Sequence, residues 1–218
     1  PDGVWAGYTY EWDDAQTTAT RVRGGKLREV AGQTWIYPSE TDCLSCHTSA
    51  AGFSLGAEVL QLNGELTYPS TGITANQLLT LEHIGYFDAP LPAPVGSLPA
   101  MPDPADDTAP LAERARAYLH TNCSQCHRPG GPTPSTLDLR YETALADMNA
   151  CNVAPVGGTL QLGSGAQLIV PGDATLSVLP GRMGLRNAKG MPPLGSQLVD
   201  GDGIALIDAW IDSLANCN

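Results

Sequence analysis

The chain has 218 residues, 42% of them hydrophobic and only 16% charged, the proportions of a globular protein rather than a disordered one. Its net charge of −12 repels phosphate backbones and sets nucleic acid aside as a partner. With 24 glycines and 18 prolines it is rich in turns, and nowhere does it hold the roughly 18 uninterrupted apolar residues that read as a membrane span.

The chain opens at Pro1 without the basic and apolar regions of a signal peptide, which fits a processed export product or a piece of something longer. Residues 8–12 and 19–23 alternate β-formers with polar residues and join through Asp13-Asp14; residues 33–37 offer a third strand. A small antiparallel sheet at the N-terminus is expected. After Cys43-Leu44-Ser45-Cys46-His47, Thr74 is placed to cap a helix over 75–86 with Leu78, Leu79, Leu81 and Ile84 as its apolar residues. Six prolines between 88 and 107 exclude helix and central strand and suggest an extended connector. Pro110 then opens a helix that runs to His120, directly before Cys123-Ser124-Gln125-Cys126-His127. A short helix over 141–149 and a last one over 204–214, striped by Leu206, Ile207, Trp210 and Leu214, complete the second half. Asp200-Gly201-Asp202-Gly203 looks like the start of a calcium loop, but Ile204 and Ala205 bring no side-chain oxygen, so Asp202 reads as a helix cap. The expected fold is mainly α: a first domain over 1–87, a connector over 88–107 and a second domain over 108–218.

Four of the six cysteines form two copies of C-x-x-C-H, the attachment motif of c-type haem. Two thiols one helical turn apart can each form a thioether to a vinyl group of one porphyrin, while the next imidazole takes the iron from below. Cys43, Cys46, Cys123 and Cys126 are therefore the expected anchors of two covalent haems, with His47 and His127 as proximal ligands. A four-thiolate zinc site needs no His after both pairs, and a thioredoxin-like motif would occur once, beside a βαβ pattern. Cys151 and Cys217 are left over. Covalent haem attachment is an export-side process in bacteria, where disulfides persist, so a bridge between them is expected, contributing roughly 3 to 4 kcal/mol.

The sixth ligand of each iron separates carriers from catalysts. For the second haem Met191 is expected, in Met191-Pro192-Pro193, because the prolines hold its thioether in an extended backbone; Met183 is the alternative, otherwise a gap filler. His120, on the helix that delivers the second loop, reads as structural. For the first haem His83 is expected, presented by a helix whose Leu79 and Ile84 pack toward a core. Met101, in a proline-rich stretch without regular hydrogen bonding, is its alternative, and an open iron a third possibility.

Residues 108–218, with helix, C-x-x-C-H, Met-Pro-Pro loop and final helix in that order, resemble a class I cytochrome c. The resemblance implies His127 and Met191 as an axial pair. The whole chain is similar to bacterial di-haem modules found alone or fused to PQQ-dependent sugar dehydrogenase-like domains. Trp35-Ile36-Tyr37-Pro38-Ser39, Ala51-Gly52-Phe53-Ser54-Leu55-Gly56, Gln61-Leu62-Asn63 and Arg128-Pro129-Gly130-Gly131 carry that likeness. It implies exported electron transfer, periplasmic or extracellular, with a redox protein or dehydrogenase domain as partner. The rival expectation is a di-haem peroxidase with a displaceable sixth ligand on the first haem. A structural subunit of a haem-protein assembly is a third, without a repeat to support it.

Overall fold

The computed structural model describes residues 4–218. They gather into two compact units, one made of the chain up to Leu55 together with Tyr118–Asn218, the other of Gly56–Ala117. Both C-x-x-C-H loops belong to the first unit, and the whole proline-rich stretch 88–107 belongs to the second.

The first unit begins with two hairpins. Strand β1 (Thr9–Trp12) pairs antiparallel with β2 (Ala19–Val22), and Tyr10 and Trp12 face solvent while Thr9 and Glu11 are half-buried. Asp13 turns the chain by accepting the Thr17 N–H at 2.8 Å. Strand β3 (Lys26–Val30) pairs with β4 (Gln33–Tyr37) through Ala31 and Gly32, whose φ of 51° and 77° are both left-handed, as a two-residue hairpin turn requires. Residues 33–37 therefore do form a strand, but in a second hairpin and not as a third strand beside β1 and β2. Glu11 of β1 accepts from Lys26 at 2.6 Å and Arg28 at 3.0 Å, tying the hairpins; pairs this exposed set orientation more than strength.

Helix α1 (Glu40–Cys43) starts at a reciprocal cap: Ser39 Oγ accepts the Asp42 N–H and the Asp42 carboxylate accepts the Ser39 N–H at 2.9 Å. The long helices α4 (Leu111–Cys123) and α6 (Gly201–Ser213) each have 13 residues. Tyr118 of α4 lies over Gly203 of α6 so closely that any Cβ on Gly203 would overlap its phenol. Tyr118 Oη donates to Asp200 Oδ2 at 2.8 Å, and Asp200 Oδ1 accepts the Gly203 N–H at 2.9 Å. Asp200, not Asp202, is the cap of the last helix. Behind this crossing Leu119, Ile207, Trp210 and Ile211 are buried with Ile169 and with Val178 of α5 (Val178–Met183). Burying each side chain of this size contributes about 1.5 to 3 kcal/mol. The helix expected over 141–149 shrinks to one 3-10 turn, Leu145–Asp147. Cys151 and Cys217 are joined by a disulfide in this unit.

The second unit holds α2 (Val59–Leu62), the hairpin of β5 (Glu65–Thr67) with β6 (Thr74–Asn76), and α3 (Gln77–His83). Thr74 pairs with Thr67 in the sheet, so the helix is capped by Asn76, whose Oδ1 accepts the Leu78 N–H at 2.9 Å. Asn63 organises the surroundings: its Nδ2 donates to the carbonyls of Val95 at 2.9 Å and Leu98 at 3.1 Å, and its Oδ1 accepts from Asn76.

The fold is not mainly α. Among the described residues helix, short 3-10 turns included, takes up 27% and strand, isolated bridges included, 13%, with three small antiparallel sheets and six α-helices. The regular segments are short: α1, which ends in the turn of the first C-x-x-C-H motif, and α2, which ends at Asn63-Gly64, have only four residues each.

Candidate haem-attachment sites

The two C-x-x-C-H loops close the same single turn. His47 N–H donates to Cys43 O at 3.0 Å and Cys46 N–H to the same oxygen at 3.3 Å; in the second copy His127 and Cys126 donate to Cys123 O at 2.9 and 3.1 Å. In each copy the turn grows from a helix end, α1 for the first and α4 for the second, so both cysteines lie on one turn with the imidazole directly after it.

The two imidazoles are held differently. His47 Nδ1 sits 2.6 Å from the carbonyl oxygen of Phe53, and since a carbonyl only accepts, Nδ1 carries the proton and Nε2 keeps a lone pair for a metal. Phe53 can present that carbonyl because its φ is 63°, with its N–H on Thr48 O at 2.9 Å and its ring stacked on Trp5 at 5.5 Å. His127 Nδ1 is buried and has no hydrogen-bond partner. Burial, then the Arg182 guanidinium, holds this imidazole below its usual range, so it is neutral, the form that binds iron. Its carbonyl accepts the Leu139 N–H at 2.9 Å, which fixes the exit of the loop.

The loops also meet each other. Cys126, as the neighbour of Cys46, holds the Cys46 thiol below its usual range, and Cys46 in turn raises that of Cys126. Arg128 Nη1 reaches Ala50 O at 3.4 Å, while its Nε and Nη2 hold Ser124 O at 2.5 Å and Ser124 Oγ at 3.2 Å. A Cβ on Gly130 would come within 3.8 Å of the Ala50 methyl, and one on Gly131 would collide with Cys126 O. Gly131, visible in the sequence only as part of a likeness, is thus what lets the chain pass closely over Cys126 O, while Arg128 of the same run reaches Ala50 beside the first loop.

All four loop cysteines are free, and burial pushes the Cys123 thiol up to about 12. Among the described residues no three His, Cys, Asp or Glu side chains converge as a metal cluster, so the four thiols do not make a tetrahedral zinc set. A covalent haem asks something else: two thiols per turn and one imidazole nitrogen kept free of protein donors. The residues fit that demand.

The candidate sixth ligands differ in setting. Met191 is half-buried, its N–H donates to Arg182 O at 2.9 Å, and its bond to Pro192 is cis. Met183, on α5, is buried in the core. His120 is buried and its Nδ1 accepts the Tyr141 N–H at 2.9 Å, a structural role. In the second unit His83 ends α3 and is exposed. The apolar neighbours expected to pack toward a core do not: Leu79 is 47% and Ile84 67% exposed, and only Leu78 is buried. Met101 is better anchored than its proline-rich surroundings suggest, since its N–H donates to Leu60 O at 2.8 Å.

Among the described residues no helix is long and apolar enough to cross a membrane. No family model, curated protein or solved structure matches the chain.

Proposed function

We propose that this chain is an exported di-haem c-type cytochrome that passes electrons between redox partners. The observation that carries the reading is the pair of C-x-x-C-H loops folded into one and the same turn, each offering two free thiols beside an imidazole. Cys43, Cys46, Cys123 and Cys126 would carry the thioethers, and His47 and His127 would be the proximal ligands. Haem c, when bound, supplies a one-electron iron couple. The chain's own part is to fix the His47 tautomer through Phe53, keep His127 neutral by burial, and close each loop. Met191 is the sixth ligand proposed for the second haem, and His83 or Met101 for the first.

The disulfide between Cys151 and Cys217 supports an oxidising compartment, periplasmic or extracellular. Between Arg28 and Arg114 the sequence has no lysine or arginine, and the net charge is −12; both favour a cationic redox partner.

The test is the mass of the denatured, acid-acetone-extracted protein. Two covalent haems are expected, and Cys43→Ala with Cys46→Ala should remove one. Porphyrin extracted from the wild type would refute the reading. His83→Ala and Met101→Ala then identify the first sixth ligand, because only loss of the true ligand turns that iron high-spin.

A further inference from the structure

We propose that Arg182 is a positioning residue for Met191, holding the Met-Pro-Pro loop by its carbonyl and its guanidinium at once. The inference rests on the reading of Met191 as a sixth ligand and deepens it. A methionine on a loop is a weak ligand unless the loop is held, because every conformation in which the loop is open competes with ligation. The sequence alone offers Met191 the two prolines that follow it. The structure adds a fixed point before it.

Arg182 lies in α5, whose Val178, Leu179 and Met183 are buried, so it stands on a packed base. From there its carbonyl accepts the Met191 N–H at 2.9 Å, and its Nη1 donates to Lys189 O, also at 2.9 Å. The two bonds grip the chain on either side of Gly190. Nη2 donates to Gly157 O at 2.7 Å, which ties the guanidinium to a second loop. That loop is anchored in turn, since the Leu168 N–H donates to Val153 O at 2.7 Å. Glycines make both approaches possible: a Cβ on Gly157 would overlap Nη2, and one on Gly190 would overlap Leu185 O, where the loop folds back on itself. The planar fork of arginine serves two carbonyls in different loops at fixed angles, which the single ammonium of a lysine does not match. Hydrogen bonds from a charged donor are stronger than neutral ones, so the two together weigh against opening of the loop. Arg186, one helical turn further on, holds only the far end of the same loop, its Nε donating to Leu198 O at 3.0 Å.

The test takes the full chain carrying both haems by mass and reads two quantities. One is the rate of tryptic cleavage after Lys189, whose carbonyl Arg182 holds; it reports on the loop alone. The other is the concentration of added imidazole that half-removes the near-infrared sulfur-to-iron absorption of the second haem. In Arg182→Gln the cleavage should quicken and the imidazole midpoint fall, each by about tenfold, the size expected for a lost hydrogen bond from a charged donor. Gly157→Ala, which crowds Nη2 while keeping the Arg182 charge, should move both in the same direction, and it carries the test alone should Arg182→Gln fail to accumulate. Arg186→Gln should leave the imidazole midpoint where it is. An unchanged midpoint in Arg182→Gln or in Gly157→Ala, or an equal fall in Arg186→Gln, overturns the positioning role. An absorption that survives Met191→Ala sinks the ligand reading beneath it instead, and that result is visible without any change at Arg182.

Discussion

His47 donates its Nδ1 proton to the carbonyl oxygen of Phe53 across 2.6 Å, and that contact depends on a left-handed residue pinned by a ring stack. A phenylalanine at positive φ is strained, and the parallel Trp5 ring, tilted by 8°, is what holds it. Trp5→Ala should therefore destabilise the protein by about 1 kcal/mol. It should also shift the potential of the first haem, because the hydrogen bond tunes the basicity of the imidazole. Denaturant titration and potentiometry check both; Phe53→Gly, which relieves the left-handed strain while keeping the carbonyl, should shift the potential less than Trp5→Ala does.

Asp200 couples the start of α6 to Tyr118 and makes the stability of the crossing depend on pH. The Gly203 N–H, then the Tyr118 hydroxyl, holds its carboxyl below the usual 3.8. Burial, then Asp200, raises the Tyr118 phenol, which stays a donor. Because the folded pKa is depressed, the stabilisation is fully present above the unfolded value and is lost as pH falls through the folded one. Asp200→Ala should cost about 1 kcal/mol at neutral pH as a lost cap. Asp200→Asn, which keeps an acceptor, should cost less, and the gap between it and the wild type should close as pH drops below 3.8. A gap that stays constant down to the acid limit would mean the charge has no part in the cap.

Local turns and helices are more legible in the sequence than the contacts that join them. The two C-x-x-C-H turns, α4, α6 and the alternating β1 and β2 can be read locally, because motif spacing and hydrophobic period are properties of a few neighbouring residues. Strand β3 cannot: Lys26-Leu27-Arg28-Glu29-Val30 has few β-formers and becomes a strand only through its partner β4 and the Ala31-Gly32 turn. Thr74 looks like a cap because Thr is a good one, but cross-strand pairing with Thr67 claims it and leaves Asn76 to start α3. The clasp of Arg128 on Ala50 joins residues 78 apart, and no local signal announces such a contact.

The bridge between Cys151 and Cys217 spans a sequence separation of 66, long enough for a large effect on the unfolded chain. Cys217→Ser, or reduction, should cost roughly 3 to 4 kcal/mol and lower the melting temperature, with both haems retained by mass. A melting curve unaffected by reductant would show that the C-terminal segment is held by its packing alone.

The charge distribution predicts how association with a partner responds to salt. A cationic acceptor should be reduced fastest at low ionic strength, with the second-order rate falling as salt screens the attraction. A rate that climbs with salt would point to an acidic partner and remove the support drawn from the residues between Arg28 and Arg114.

Met191 and Met183 can be told apart by what each removal costs. Met183 is packed into the core on α5, so Met183→Ala should cost about 2 to 5 kcal/mol of stability as any buried methionine does, and leave the iron's ligand field untouched. Met191 is half-buried beside two prolines, with its backbone fixed on Arg182 O, so its side chain contributes little packing and is free for a metal. Met191→Ala should cost little stability yet abolish the near-infrared sulfur-to-iron absorption of the second haem. Met191→His should restore six-coordination at a lower potential, since thioether ligation raises the potential relative to imidazole. If the absorption survives Met191→Ala and disappears with Met183→Ala, the ligand is the buried methionine, and the Met-Pro-Pro loop serves the surface and not the iron.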